Sequence, residues 1–220
     1  MIIAIDGPSA SGKSTTAKAV SKRLGFIHLD TGAMYRAVTL GINESKIKPN
    51  DHKKVRLYLK SIKIEFDQND NIVLNGKNVT DLIRTFKISS NVSKVSAILE
   101  VREKMVQVQR NIAGNNNCVL EGRDIGTVVF PNADFKFFLI ADITIRAKRR
   151  FADLQKSNEL LTLDELTESI RKRDELDSRR DLSPLRQAKD AIVIDTSFLT
   201  IEQQINKIVE IVKQNKKKET

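Results

Sequence analysis

Eight consecutive residues, Gly7-Pro8-Ser9-Ala10-Ser11-Gly12-Lys13-Ser14, match G-x-x-x-x-G-K-[ST] without a gap, and Thr15 follows directly. Small residues and glycines at this spacing let the backbone curl until successive N–H groups face a phosphate. A helix opening at Lys13 adds the positive end of its dipole. Lys13 can bridge β- and γ-phosphates, and the Ser14 hydroxyl is placed for Mg²⁺. The alternative is a glycine-rich turn with a coincidental lysine. An apolar run before the motif and a helical pattern after it supply the strand–loop–helix context that the chemistry requires. Residues Gly7 to Thr15 therefore predict binding of a nucleoside triphosphate, without naming what accepts its phosphate.

Further charged groups stand at comparable places. Asp30-Thr31-Gly32-Ala33-Met34-Tyr35-Arg36 follows an apolar run, FIHLD, with Thr31 at a helix-capping position and Arg36 about one turn inside. A helix cap with a surface arginine is one reading. The other is a phosphate ligand, because parallel sheets bind ligands at the C-terminal ends of their strands and a guanidinium fork matches a pair of phosphate oxygens. Glu121-Gly122-Arg123-Asp124-Ile125-Gly126-Thr127 also begins where an apolar run ends. It reads either as a surface turn or as Arg123 on phosphate beside Asp124 on a base amino group. An aspartate accepts from cytosine N4–H₂, whereas uracil O4 offers no donor. Arg84 and Arg102, taken singly, read as solvated arginines or as ligands. Arg173, Asp177 and Arg180, spaced by four and three, fall on one helix face. They are either a surface ion-pair ladder or part of a charge-dense mobile lid between Phe151 and Arg180 that brings arginines to a transferring phosphoryl.

These groups need a scaffold, and the apolar pattern supplies one. Met1 to Asp6, Phe26 to Asp30, Cys118 to Gly122, Phe135 to Ala141 and Ala191 to Asp195 are short apolar runs. Helical patterns separate them: Lys13 to Leu24 with Gly25 as its stop, a second from Thr31, a long one from Ser89 to Ile112 broken by AGNNN, and a last one through Ile201, Ile205, Ile208 and Val212. Five strands separated by helices predict an α/β fold with a parallel sheet covered on both faces. From about Asn43 to Asn91 the texture changes. IKIEF, IVLN and a short segment at Val79 predict a small antiparallel sheet inserted into the parallel one.

Composition sets bounds. The chain of 220 residues fits one α/β core with a small insertion. With 40% apolar but only 5% aromatic residues, its core must be built from Ile, Val and Leu. No apolar stretch approaches the ~20 residues that cross a bilayer. MIIAIDGPSASGK has no basic leader and reads as the first core strand, not a signal peptide. Cys118 is the only cysteine, so intrachain disulfides are impossible and a reducing cytoplasm is the expected compartment. The net charge of +10 favours anionic ligands, although the tail from Lys213 to Thr220 supplies +3 of it. There is no RNP-like aromatic pair, zinc-finger spacing or aromatic-laced basic stripe to point to nucleic acid.

Together these segments resemble the bacterial cytidylate kinases, members of the nucleoside-monophosphate kinase family of P-loop proteins, over nearly the whole chain. The resemblance rests on IDGPSASGKST (Ile5 to Thr15), DTGAMYR (Asp30 to Arg36), IRT (Ile83 to Thr85) and EGRDIGTVVFP (Glu121 to Pro131). It continues through R-x-x-x-D-x-x-R (Arg173 to Arg180) with Pro184-Leu185 after it, and IVIDTS (Ile192 to Ser197). Adenylate and thymidylate kinases share the phosphate loop but not the GRD-x-GTVVFP run or the insertion at about Leu59 to Arg84. This chain departs from the family pattern at Thr31, where Ser is frequent, and at Phe86-Lys87-Ile88, where Gln-Glu-Val is common. At Ser14 many relatives have Gly.

The resemblance implies a P-loop NTPase fold with a five-stranded parallel sheet, a monophosphate-binding region over 32–112 and a lid over 151–164. It implies ATP as donor with Mg²⁺, CMP and dCMP as acceptors, and CDP or dCDP with ADP as products. Gly7 to Thr15 would hold ATP, with Ser14 on Mg²⁺. Thr31, Arg36, Arg84, Ser93, Arg102, Arg123, Asp124, Asp177 and Arg180 would surround CMP. Within that set Arg36 and Arg123 are implied as phosphate ligands, Asp177 as the ribose contact, and Ser93 with Asp124 as the cytosine-reading pair. Lys13, Arg123, Arg173 and Arg180 would carry the charge of the transferring group. The partners implied are small molecules, not nucleic acid or membrane, and the expected state is a cytoplasmic monomer. Two rivals remain: a kinase of the same scaffold acting on UMP or AMP, and an NTPase that uses the loop as a nucleic-acid-dependent switch.

Overall fold

The computed structural model describes residues 1–155 and 161–216. In chain order the elements are β1 (Ile2–Asp6), α1 (Lys13–Leu24), β2 (Ile27–Asp30), α2 (Thr31–Glu44), α3 (His52–Ser61), β3 (Ile64–Phe66), β4 (Ile72–Leu74) and β5 (Lys77–Asn78). A 3₁₀ turn (Leu82–Arg84), α4 (Phe86–Ser96), α5 (Leu99–Ala113), β6 (Cys118–Gly122) and a π-helical turn (Ile125–Val129) follow. The chain then continues through β7 (Phe135–Ile140), α6 (Ile143–Gln155), α7 (Leu163–Ser178), β8 (Ile192–Asp195) and α8 (Ile201–Lys216). It folds as two compact units, Met1–Leu29 with Asn115–Thr220, and Asp30–Gly114.

The larger unit is built on a parallel five-stranded sheet in the order β2-β6-β1-β7-β8. The central strand β1 pairs with β6 from Ile2↔Cys118 to Asp6↔Gly122, and with β7 from Ile3↔Phe135 to Asp6↔Phe138. This register ends β1 and β6 level, so Asp6 and Gly122 begin their loops side by side. Helices flank the sheet because its strands are apolar on both faces. One core cluster joins Ile3, Ile5, Val119, Phe137, Leu139 and Ile194 of the sheet to Ala17 and Val20 of α1 and to Ile205, Ile208, Val209 and Val212 of α8. Phe137 is almost fully buried there, and truncating such a side chain to Ala costs about 3–5 kcal/mol. The expected helix α1 ends as its sequence predicts, on Gly25 in the left-handed region (φ 69), whose N–H caps the Ser21 and Lys22 carbonyls.

The smaller unit combines α2 to α5 with an antiparallel sheet, β3-β4-β5, registered by Ile64↔Leu74 and Val73↔Asn78. Its third strand lies at Lys77–Asn78, just before the expected Val79. Two differences from the sequence reading stand out. The pattern from Ser89 to Ile112 is two helices, not one. The first ends at Ser96 with Ala97 as its C-cap, and Ile98 turns extended (φ −71, ψ 125) before α5 begins. The apolar period runs on across this break because both helices bury the same kind of stripe. The second difference is α3, a helix in a segment whose apolar pattern predicts none. Asp51 caps it by accepting Lys54 N–H, and only Val55 and Leu59 are buried.

The lid expected over 151–164 covers the last turn of α6 and the start of α7, and 156–160 lie outside the described residues. α7 opens on a full capping box. Thr162 Oγ1 accepts Glu165 N–H, and the Glu165 carboxylate accepts Thr162 N–H.

Candidate functional site

The loop from Gly7 to Gly12 joins the end of β1 to the start of α1. Its curl uses three positive φ values, at Gly7 (146), Ala10 (58) and Gly12 (93), and such left-handed steps turn consecutive N–H groups into one concavity. A Cβ on Gly7 would lie 2.1 Å from the Leu139 carbonyl oxygen, so the loop and β7 approach this closely only around glycine. The rim is tied from outside. Asp174 accepts Ser9 N–H (3.0 Å), Arg146 donates to the Ser9 carbonyl (3.1 Å), and these two side chains form an ion pair with each other. Thr196, beyond β8, holds the Ser11 carbonyl with its hydroxyl (2.9 Å).

Lys13 is buried, and its Nζ donates to the Pro8 carbonyl (2.5 Å) and to Ser11 Oγ (3.2 Å). Burial, reinforced by Arg123, pushes its pKa well below the ordinary lysine value, against the opposing pull of Glu121 and Asp174. A buried ammonium with cationic neighbours is a site that an anion relieves. Beside it Ser14 Oγ donates to Glu121 Oε2 (2.6 Å), and Glu121 Oε1 lies 3.2 Å from His28 Nε2.

The carboxyl of Asp6, at the end of β1, accepts Ile125 N–H (2.9 Å) and Gly126 N–H (2.8 Å). Burial raises its pKa to about 6; the two amides oppose this, Asp124 adds to it and Lys13 opposes it. Asp6 thus anchors the π-helical turn that follows Arg123 and Asp124. Arg123 Nε in turn donates to Asp177 Oδ2 (3.1 Å). Asp177 is buried with Arg180 Nη2 3.7 Å from its other oxygen, so this group is not a surface ladder. Arg180 itself lies past the end of α7, which closes at Arg179. The expectation of three residues on one helix face is therefore corrected: Arg180 folds back from the turn, its Nε donating to the Asp177 carbonyl (3.2 Å).

In the smaller unit, Asp30 and not Thr31 caps α2, accepting Ala33 N–H (2.8 Å). The carboxylate is one residue further out and reaches the third N–H of the helix, while Thr31 is already inside its first turn and buried. A Cβ on Gly32 would sit 3.2 Å from both Arg36 Nη1 and Asp30 Oδ1, so these two charged groups converge over that glycine. Arg102 is buried, not solvated. It stacks over the Tyr35 ring at 5.2 Å and donates to the Ser96 carbonyl (3.2 Å) across the break between α4 and α5. Ser93 is buried on α4, and Arg84 is exposed at the end of the 3₁₀ turn.

Of the predicted residues, Lys13, Ser14, Arg123, Asp124, Arg173, Asp177 and Arg180 belong to one electrostatic neighbourhood around the phosphate loop. Thr31 and Arg36 start α2, and Ser93 and Arg102 lie on α4 and α5 of the smaller unit. The sequence reading assigned no role to Asp6, His28, Glu121, Arg146 or Asp174. A signal existed for two of them: Asp6 and Glu121 are carboxylates at the C-terminal ends of apolar strands, where ligands bind.

The profile of the family described as cytidylate kinase matches residues 3–214. The chain belongs to the cytidylate kinase family. A cytidylate kinase of Lactobacillus gasseri is 46% identical over 220 residues, covering 99% of this chain and 96% of the relative. One from Clostridium botulinum is 45% identical over 213 residues, covering 97% and 98%. Among solved structures, an uncharacterized protein from Eubacterium ventriosum superposes with a TM-score of 0.56 at 10% identity, over 97% of this chain and 98% of that one. Shikimate kinase from Acinetobacter baumannii in complex with shikimate gives 0.50 at 15%, over 98% and 94%. At such identities the likeness is one of fold alone.

Proposed function

We infer that this protein phosphorylates CMP and dCMP at the expense of ATP, giving CDP or dCDP and ADP. The observation that carries the inference is the intact phosphate loop, with Lys13 buried at its centre, in a chain of the cytidylate kinase family. The phosphate acceptor oxygen of CMP is anionic at neutral pH, so no strong general base is needed. Catalysis then reduces to alignment and charge compensation. Lys13 exchanges its donors from the loop's own oxygens to the β- and γ-phosphates, and the negative charge restores the proton that burial weakens. Arg123, Arg173 and Arg180 supply further positive charge to the transferring group, with Asp177 holding Arg123 and Arg180 in place.

Contacts with the acceptor are assigned on the family resemblance. Arg36 and Arg123 bind its phosphate, Asp177 the ribose, and Ser93 with Asp124 reads the cytosine amino group. Thr31, Arg84 and Arg102 complete the set. The 32–112 region is assigned to monophosphate binding and 151–164 to a lid that keeps water from the phosphoryl group.

Mg²⁺ fits the residues present. No group of three His, Cys, Asp or Glu side chains is arranged for a metal among the described residues. Mg²⁺ is ordinarily held by one or two protein oxygens, waters and substrate phosphates, and Ser14 offers such an oxygen at the loop, backed by Glu121. When bound there, the ion would supply positive charge to the transferring phosphoryl group. We assign the protein to the cytoplasm as a monomer acting on small molecules alone. Its single cysteine is buried, and no helix among the described residues is long and apolar enough to cross a membrane. A panel of CMP, dCMP, UMP and AMP assayed for ADP release tests the reading. CMP and dCMP should be the preferred acceptors, and a clear preference for UMP or AMP would overturn it.

A further inference from the structure

The side chains of His28 on β2 and Glu121 on β6 meet between neighbouring strands of the sheet, on the face covered by α1. Val119, two residues before Glu121, packs against Ala17 and Val20 of that helix. Both side chains are largely buried, 11% and 5% exposed. The Glu121 carboxyl is held at both oxygens, by His28 Nε2 at 3.2 Å and by Ser14 Oγ at 2.6 Å. The order is hydroxyl, carboxyl, imidazole, with the carboxyl in the middle. His28 therefore cannot take a proton from Ser14 and is no part of a nucleophile triad. Its effect on the loop is to fix which way the Glu121 carboxyl points.

We propose that His28 is a positioning residue which, through Glu121, orients the Ser14 hydroxyl toward the phosphate–Mg²⁺ side of the loop. A hydroxyl has one proton to give. With that proton committed to Glu121, the oxygen lone pairs of Ser14 are turned outward as acceptors. Removing the His28 contact takes away the partner of Oε1 and loosens the direction of the carboxyl, and with it that of the hydroxyl. Groups that orient a ligating atom in this way are worth about 10–100-fold in metal affinity when removed. His28 acts at one further remove, so an effect at the lower end, about tenfold, is expected.

The proposal rests on the assignment of Ser14 to Mg²⁺, and the test separates the two. ADP affinity is measured by calorimetry in EDTA and in saturating Mg²⁺, and the ratio gives the metal-dependent gain. In His28→Phe and His28→Leu that gain should fall about tenfold, with ADP affinity in EDTA and the KM for CMP unchanged. His28→Gln, which retains a donor for Glu121, should recover most of it. An unaltered gain in both apolar variants overturns the proposal. So does an equal loss of ADP affinity with and without metal, or failure of His28→Gln to recover when it is as stable as the parent. Ser14→Ala is the control: if it leaves the gain intact, the Ser14 assignment itself fails. If it lowers the gain while the His28 variants do not, only the role of His28 is lost.

Discussion

Replacing Asp6 by Asn should produce a stability loss that shrinks as pH rises. The folded carboxyl titrates at about 6 against 3.8 for an ordinary Asp, chiefly because it is buried. A raised folded pKa means that the native state binds the proton more tightly than the unfolded one. The resulting stabilisation is complete below pH 3.8 and is lost as pH rises through about 6. From these two values the proton-linked share is roughly 1 kcal/mol at pH 5 and close to zero at pH 7.5. Asn cannot titrate. It also presents an NH₂ to one of the two backbone donors that Asp6 accepts, Ile125 or Gly126, and an unpaired buried N–H costs roughly 1–3 kcal/mol at any pH. The stability gap between parent and Asp6→Asn should therefore be roughly 1 kcal/mol wider at pH 5 than at pH 7.5. Urea unfolding followed by far-ultraviolet circular dichroism at both pH values measures it. Asp124 and Lys13, the charged neighbours of Asp6, are common to both proteins. A gap that is constant, or that widens toward pH 7.5, would show that Asp6 does not hold its proton more tightly in the folded state.

Lys13→Met should lower kcat by orders of magnitude while thermal unfolding stays near that of the parent; normal turnover would remove the loop from the chemistry. Gly7→Ala places a Cβ 2.1 Å from the Leu139 carbonyl oxygen at a φ of 146. Backbone strain of about 1–3 kcal/mol then adds to displacement of β7, and ATP binding measured by calorimetry should be lost even in protein that remains folded. Asp124→Ala should compress the preference for CMP over UMP in kcat/KM by about 10–100-fold, the worth of one hydrogen bond to a charged group. An unchanged ratio would show that the base is read elsewhere.

The fold was legible where local chemistry and burial agree. The five strands are short apolar runs, fully buried in the central β6 and open to solvent at the edges β2 and β8, and Gly25 marks the end of α1 because only its left-handed conformation satisfies the last carbonyls. The break between α4 and α5 was not legible, since Ala97 and Ile98 carry no breaker signal and the apolar stripe continues past them. α3 escaped because two buried residues, Val55 and Leu59, make a weak periodic signal in a charged segment. The phosphate loop could be read residue by residue, as its spacing is dictated by the ligand. The supporting shell could not. The contacts of Asp6 with Ile125, Ser14 with Glu121, and Asp174 with Ser9 span more than a hundred residues each; the register of β1 and β6 sets the first two, and the placement of α7 beside the loop sets the third. Likewise Asp177 was expected at a ribose, and its pairing with Arg123 is a tertiary fact that a helical spacing cannot reveal.

The protein acts by direct phosphoryl transfer from ATP to a cytidine monophosphate. ATP labelled with ³²P at the γ-position, incubated with the protein, Mg²⁺ and CMP and resolved by thin-layer chromatography, tests it in one step. Label recovered in CDP, in proportion to the ADP formed, is the predicted result. Label recovered only as inorganic phosphate, at a rate indifferent to CMP and stimulated by RNA, would contradict it.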